Sequence, residues 1–177
     1  IYNSLGLVYS EQGDVMFDQA KNNYFEALKI YMEISDTVGQ AESYYRIGAM
    51  YLNKKAIEID SALSYYNKFL ELAIYLDDRK QIAQAYEGLG LISLKKENYD
   101  ESEKYFLESE KIWIELDNKF SIASIYNNLG ELYLKKNNIE KALKYALDAN
   151  DLSILNDIPM ITKQSDLSLM LIYEQLG

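Results

Sequence analysis

The chain has 177 residues, no histidine, no cysteine and a formal net charge of −10. Lacking those two side chains, it cannot build a serine–histidine triad, a cysteine nucleophile, a disulfide or one of the usual zinc sites. The acidic balance speaks against nucleic acid and anionic membrane, which are bound through Lys and Arg, and no apolar run approaches the roughly 20 residues that span a bilayer.

One pattern recurs along the chain and sets the predicted elements. A first helix carries Tyr2, Asn3, Ser4, Leu5, Gly6 and Tyr9, and turn signals follow at Gly13 and Asp14. Its partner helix carries Ala20, Tyr24, Ala27 and Tyr31. After Asp36 and Thr37 the pattern returns with Tyr44, Ile47, Gly48 and Tyr51, then Lys54 and Lys55, then Ala62, Tyr66, Phe69 and Ala73. The third copy follows Asp77 and Asp78. It has Tyr86, Leu89, Gly90 and Ser93, then Lys95, Lys96 and Asn98, then Ser102, Phe106, Ser109 and Trp113. The fourth follows Asp117 and Asn118, with Tyr126, Leu129, Gly130 and Tyr133, the pairs Lys135–Lys136 and Asn137–Asn138, then Ala142, Ala146, Ala149 and Ser153. A fifth, degenerate first helix follows Asp157 and Pro159, with Asp166, Leu169, Met170 and Tyr173.

These spacings are helical. Residues at i, i+3, i+4 and i+7 share one helix face, and alternating small and aromatic side chains let two helices approach closely. Asp, Asn and Thr between the helices are expected N-caps, and Pro159 fits a first helical turn. The glycines at 6, 48, 90 and 130 lie 42, 42 and 40 residues apart, and self-similarity at such a period is the mark of a repeat architecture. The tyrosine column Tyr2, Tyr44, Tyr86 and Tyr126 is expected to be packing between helices. The Lys-Lys pairs at 54, 95 and 135 are expected to offset helix dipoles; their alternative role is a basic rim facing the Asp turns. Gly88 and Gly90 lie inside a helix and make no phosphate loop.

Leu-Gly-x-x-Tyr followed by Ala-x-x-x-aromatic-x-x-Ala resembles the tetratricopeptide repeat, and the longer period is similar to that family's 40–42-residue subgroup. The resemblance implies an all-α, right-handed α-solenoid of about nine helices in antiparallel pairs. It also implies one array over 1–177, with repeats near 1–36, 37–78, 79–118 and 119–157 and a half repeat over 158–177. The implied function is a non-enzymatic scaffold that binds a protein or peptide segment, without a cofactor or metal. The first helix of each pair would line the concave face, and peptide contacts would fall two, three and six residues before the glycine. Those places hold Ser4, Arg46, Gly88 and Asn128; Asn3, Tyr45, Glu87 and Asn127; and Glu42, Gln84 and Ser124. An Asn amide both donates and accepts, so it can hold a peptide backbone of any sequence. Arg46 is the lone cation at these places, beside Glu42 and Glu87, which argues against the family's basic clamp for C-terminal carboxylates.

Ile1 falls inside the first copy of the motif, so the expectation is a piece of a larger bacterial regulatory or sensory protein. A cytoplasmic setting is favoured by the missing cysteines, with the periplasm left open. The alternative function is structural. The last first-type helix is rich in apolar residues (Leu167, Leu169, Met170, Leu171, Ile172), which fits a homodimer formed through an open end, with no ligand in a groove.

Overall fold

The computed structural model describes residues 17–53 and 58–176. Among them stand eight helices and no strand: α1 Phe17–Glu33, α2 Thr37–Asn53, α3 Ile59–Tyr75, α4 Arg79–Lys95, α5 Tyr99–Glu115, α6 Lys119–Lys135, α7 Ile139–Leu155 and α8 Pro159–Leu176. They pack as consecutive antiparallel pairs. The first helix of the first copy, with Asn3 and Ser4, lies outside the described residues, as do Lys54 and Lys55. The chain divides into two compact units, 1–96 and 97–177.

Within the first unit α2 packs between α1 and α3, and α3 also packs on α4. The small residues anticipated from the sequence are at these contacts, with Ala41, Ala62, Ala73 and Ala83 fully buried. The largest wedge is Tyr66 of α3, which is 4% exposed. One edge of its ring lies where a side chain on Gly48 would stand, 2.9 Å from an added Cβ. The other edge overlaps the space beside Gly88 of α4. Both glycines are therefore required by close approach, since any side chain there meets an aromatic ring held from both sides.

Within the second unit α6 packs between α5 and α7, while α8 packs on α7 and α6. Ala142, Ala146 and Ala149 of α7 are fully buried. Gly130 faces the α7 backbone, where an added Cβ would lie 3.6 Å from the Ala142 oxygen and the Ala146 nitrogen. That is ordinary van der Waals contact, looser than at Gly88.

The turns repeat as closely as the helices. After α3 the Asp78 N–H donates to the Ala73 carbonyl and the Asp77 N–H to the Ile74 carbonyl, both at 3.0 Å. This is the Schellman arrangement, which needs a left-handed residue just past the helix end. Asp77 has φ 51°, and Ser35, Glu97, Asp117, Asn137 and Asp157 are equally left-handed. The following residue caps the next helix. Asp36, Asp78, Asn118 and Asn138 accept from the backbone N–H of Gly39, Gln81, Ser121 and Lys141 at 2.9–3.1 Å. The expectation that Asp157 caps the last helix is thereby corrected. It occupies the left-handed place, and α8 starts two residues later at Pro159.

Candidate functional site

In the first unit α2 presents Glu42, Tyr45 and Arg46 along one face, and α4 presents Gln84 and Glu87. All five are half-buried. The Tyr45 ring rests on Phe69 (centroids 5.2 Å apart) and meets Tyr66 edge-on at 6.2 Å. Burial pushes its hydroxyl pKa up, and the Glu87 carboxylate adds to that rise. Burial also raises Tyr66, with smaller contributions from Tyr45 and Glu87. Arg46 donates through Nε to Glu42 Oε1 at 2.6 Å, one turn away on the same helix. A guanidinium carries five N–H donors, so this contact leaves others to offer. The cluster is thus a half-open polar patch on an aromatic floor, with two carboxylates against one cation.

In the second unit Ser124, Asn127 and Asn128 all lie on α6. Ser124 is half-buried, whereas Asn127 is 3% exposed and Asn128 8%. Neither the nitrogen nor the oxygen of the Asn127 amide has a hydrogen-bond partner among the described residues. Burying an unpaired amide costs about 1–3 kcal/mol, so Asn127 is an outlay the packing of α6 alone does not explain. Its burial was not readable from its place in the pattern.

The lysines at the ends of first-type helices are tied to acidic residues 36 places upstream. Lys96 pairs with Asp60 at 3.2 Å, and Lys136 with Asp100 at 2.8 Å. Lys136 also reaches Glu103 at 2.8 Å, and the Tyr133 hydroxyl donates to the same carboxylate at 2.5 Å. Burial alone would raise Glu103, but the hydrogen bonds from Lys136 and Tyr133 together hold its pKa below the usual carboxylate range. These pairs join the end of one helix to the first turn of the helix before it.

Within the tyrosine column, Tyr44 and Tyr126 are packing, as expected, and each belongs to a larger cluster, while Tyr2 lies outside the described residues. Tyr65 of α3 stacks on Tyr51 at 5.9 Å and meets Tyr44 at 6.1 Å, with the Lys68 ammonium over Tyr44 and Tyr65. The second unit repeats this with Tyr145 against Tyr133 at 5.5 Å and Tyr126 at 5.7 Å, under Lys141 and Lys144. The recurrence of Tyr65, Tyr105 and Tyr145 every 40 residues was the signal in the sequence.

Among the described residues no group of acidic side chains is arranged to hold a metal ion, and no helix is long and apolar enough to cross a membrane. No curated protein sequence matches the chain. Among solved structures it is similar to BtubC (BKLC) from P. vanneervenii, with a TM-score of 0.82 at 22% identity over 99% of this chain and 72% of that one. At that identity the likeness speaks to the fold alone. A tetratricopeptide repeat model matches residues 81–152, where Tyr86, Leu89, Gly90, Tyr126, Leu129, Gly130 and Tyr133 stand. Together the repeat, the paired helices and this match identify residues 81–152 as tetratricopeptide repeats, a family of protein-interaction scaffolds.

Proposed function

We propose that this scaffold holds an extended peptide segment and serves as the interaction module of a larger regulatory protein. The observation that carries the reading is the half-buried cluster of Glu42, Tyr45, Arg46 and Glu87 on α2 and α4. It joins an aromatic contact to charged side chains that are half-buried rather than enclosed. A peptide laid there would place an apolar side chain on Tyr45 and a basic or neutral one beside Glu87. An acidic side chain would meet two carboxylates against one cation, and like charges in a partly desolvated site oppose binding. Gln84 would add amide contacts to the peptide backbone. On α6 Ser124, Asn127 and Asn128 are assigned the same role, as is Asn3 in the first copy of the motif.

A peptide array probed with the 177-residue chain tests this, followed by fluorescence polarisation on the best sequences. Peptides with Lys or Arg next to an apolar residue should dominate. Glu87→Lys should shift the preference toward acidic peptides while leaving the helical circular dichroism unchanged. Binding that ignores both Glu87→Lys and Arg46→Ala would remove the α2–α4 face from consideration.

A further inference from the structure

The outer face of α8 is apolar in the middle and oppositely charged at its two ends. Ile161, Ser165, Leu169 and Ile172 form the buried side of this helix. Opposite them Lys163, Leu167, Met170 and Glu174 follow at i, i+4, i+7 and i+11, one stripe along a helix. All four are exposed, Leu167 and Met170 each at 51%. Met160 and Leu171 widen the apolar stretch at 66% and 48% exposure. Between the stripe and the end of α7 runs a groove of about 590 Å³, with Ile154 and Ile158 in its wall.

Earlier first-type helices keep the same places small or apolar. Seven residues before the glycine they carry Ala41, Ala83 and Ala123, all fully buried. At the glycine itself they carry Gly48, Gly90 and Gly130, and four residues later Leu52, Leu94 and Leu134. In α8 these three places hold Lys163, Met170 and Glu174. Gly130 faces the α7 backbone with room for little more than a methyl; a methionine there holds a helix off, and a lysine in place of a buried alanine is costly unless paired. The face is therefore not shaped for another helix of the repeat type.

It is shaped for a second copy of itself. Let two α8 helices run antiparallel with the two-fold axis between Ser168 and Leu169. Leu167 then faces Met170 of the partner subunit, and Lys163 faces Glu174 of the partner subunit. Symmetry repeats each contact, as an isologous interface requires. A parallel pairing would bring lysine to lysine and glutamate to glutamate, so the charges also fix the direction. We propose that α8 is a homodimerisation helix, packed antiparallel against its copy through Leu167 and Met170 and closed at both ends by Lys163–Glu174 ion pairs. This does not depend on the peptide-binding reading, which concerns other helices.

Sedimentation velocity of the 177-residue chain from about 1 to about 100 µM should show a concentration-dependent shift from one chain to two. Lys163→Glu and Glu174→Lys should each weaken association about tenfold, because each places like charges together at both ends. The double variant Lys163→Glu/Glu174→Lys should restore it, and Leu167→Asp should abolish it. Melting curves should match wild type, since these side chains are exposed; Met170→Gln replaces Leu167→Asp if the latter melts early. A single-chain mass at every concentration would overturn the proposal, leaving the face to a different partner. So would single reversals without effect, or a double variant as weak as the singles.

Discussion

Two glycine-to-alanine changes of identical chemistry should move stability in opposite directions. Alanine is favoured over glycine inside a helix by about 0.8–1 kcal/mol. At Gly130 an added methyl lies 3.6 Å from the facing α7 backbone, so nothing need move and Gly130→Ala should gain most of that amount. At Gly88 the methyl would overlap the Tyr66 ring. That ring has little room to retreat, because its far edge already fills the space beside Gly48 and the side chain is buried. Overpacking of this kind costs about 1–3 kcal/mol, and a ring held from both sides belongs at the upper end. Net of helix propensity, Gly88→Ala should lose about 1–2 kcal/mol. Urea titrations followed at 222 nm give both values by linear extrapolation. A Tyr66→Leu background supplies the control: the Gly88→Ala penalty should largely vanish there, giving a coupling of about 1 kcal/mol or more. If Gly88→Ala is as stable as wild type, or its penalty is unchanged by Tyr66→Leu, the account of Tyr66 as a wedge between α2 and α4 is wrong.

Other perturbations follow from the turns, the ion pairs and α6. Asp77→Gly relieves a left-handed backbone at φ 51° and should raise stability by about 0.5–1 kcal/mol; a lower urea midpoint would show that the Asp77 side chain has a further contact. Asp78→Ala removes the cap on Gln81 and should cost about 1 kcal/mol in the same assay. Glu103 has its pKa depressed in the fold, so its contribution is present above the unfolded value of about 4.3 and fades as pH falls through the folded one. Between pH 6 and pH 3 the melting temperature of wild type should therefore drop more than that of Glu103→Gln; equal drops would refute the Lys136–Glu103–Tyr133 linkage. Asn127→Ala exchanges an unpaired buried amide for a small apolar group and should leave stability within about 1 kcal/mol of wild type. With Asn128→Ala it should weaken any bound peptide about tenfold or more, as polarisation titrations would register, if those amides are ligand partners.

The helices and their pairing were legible because Gly48, Ala62, Tyr66 and Gly130 stand at spacings that only close helix packing uses. The turn positions were legible too, but not which residue of a doublet does what. Asp77 and Asp78 are the same side chain, and only backbone geometry makes one left-handed and the other a cap. Gly88 breaks the register of the repeat, so nothing in its own segment announced that a ring from α3 fills the space beside it. The Lys136 pair with Asp100 joins two helices, a relation that helix-by-helix reading does not reach. In the candidate site Tyr45, Arg46 and Glu87 are half-buried. Asn127 lies deeper, because burial depends on neighbouring helices as much as on its own.

The neighbour-to-neighbour packing within each unit bears on how the protein opens. In the second unit α8 contacts only α7 and α6, while α6 touches every other helix of that unit. Contacts this local in sequence make for fast folding, and they let one end loosen without dissolving the rest. Amide hydrogen exchange should therefore be graded rather than uniform. Protection should be highest around Leu129 and Leu132 in α6 and fall toward Ile172, because releasing α8 breaks two helix contacts and releasing α6 breaks three. A surface carried on α8 would then be more readily remodelled than one on α6, able to reorganise on millisecond-to-second scales while the core of α6 stays folded.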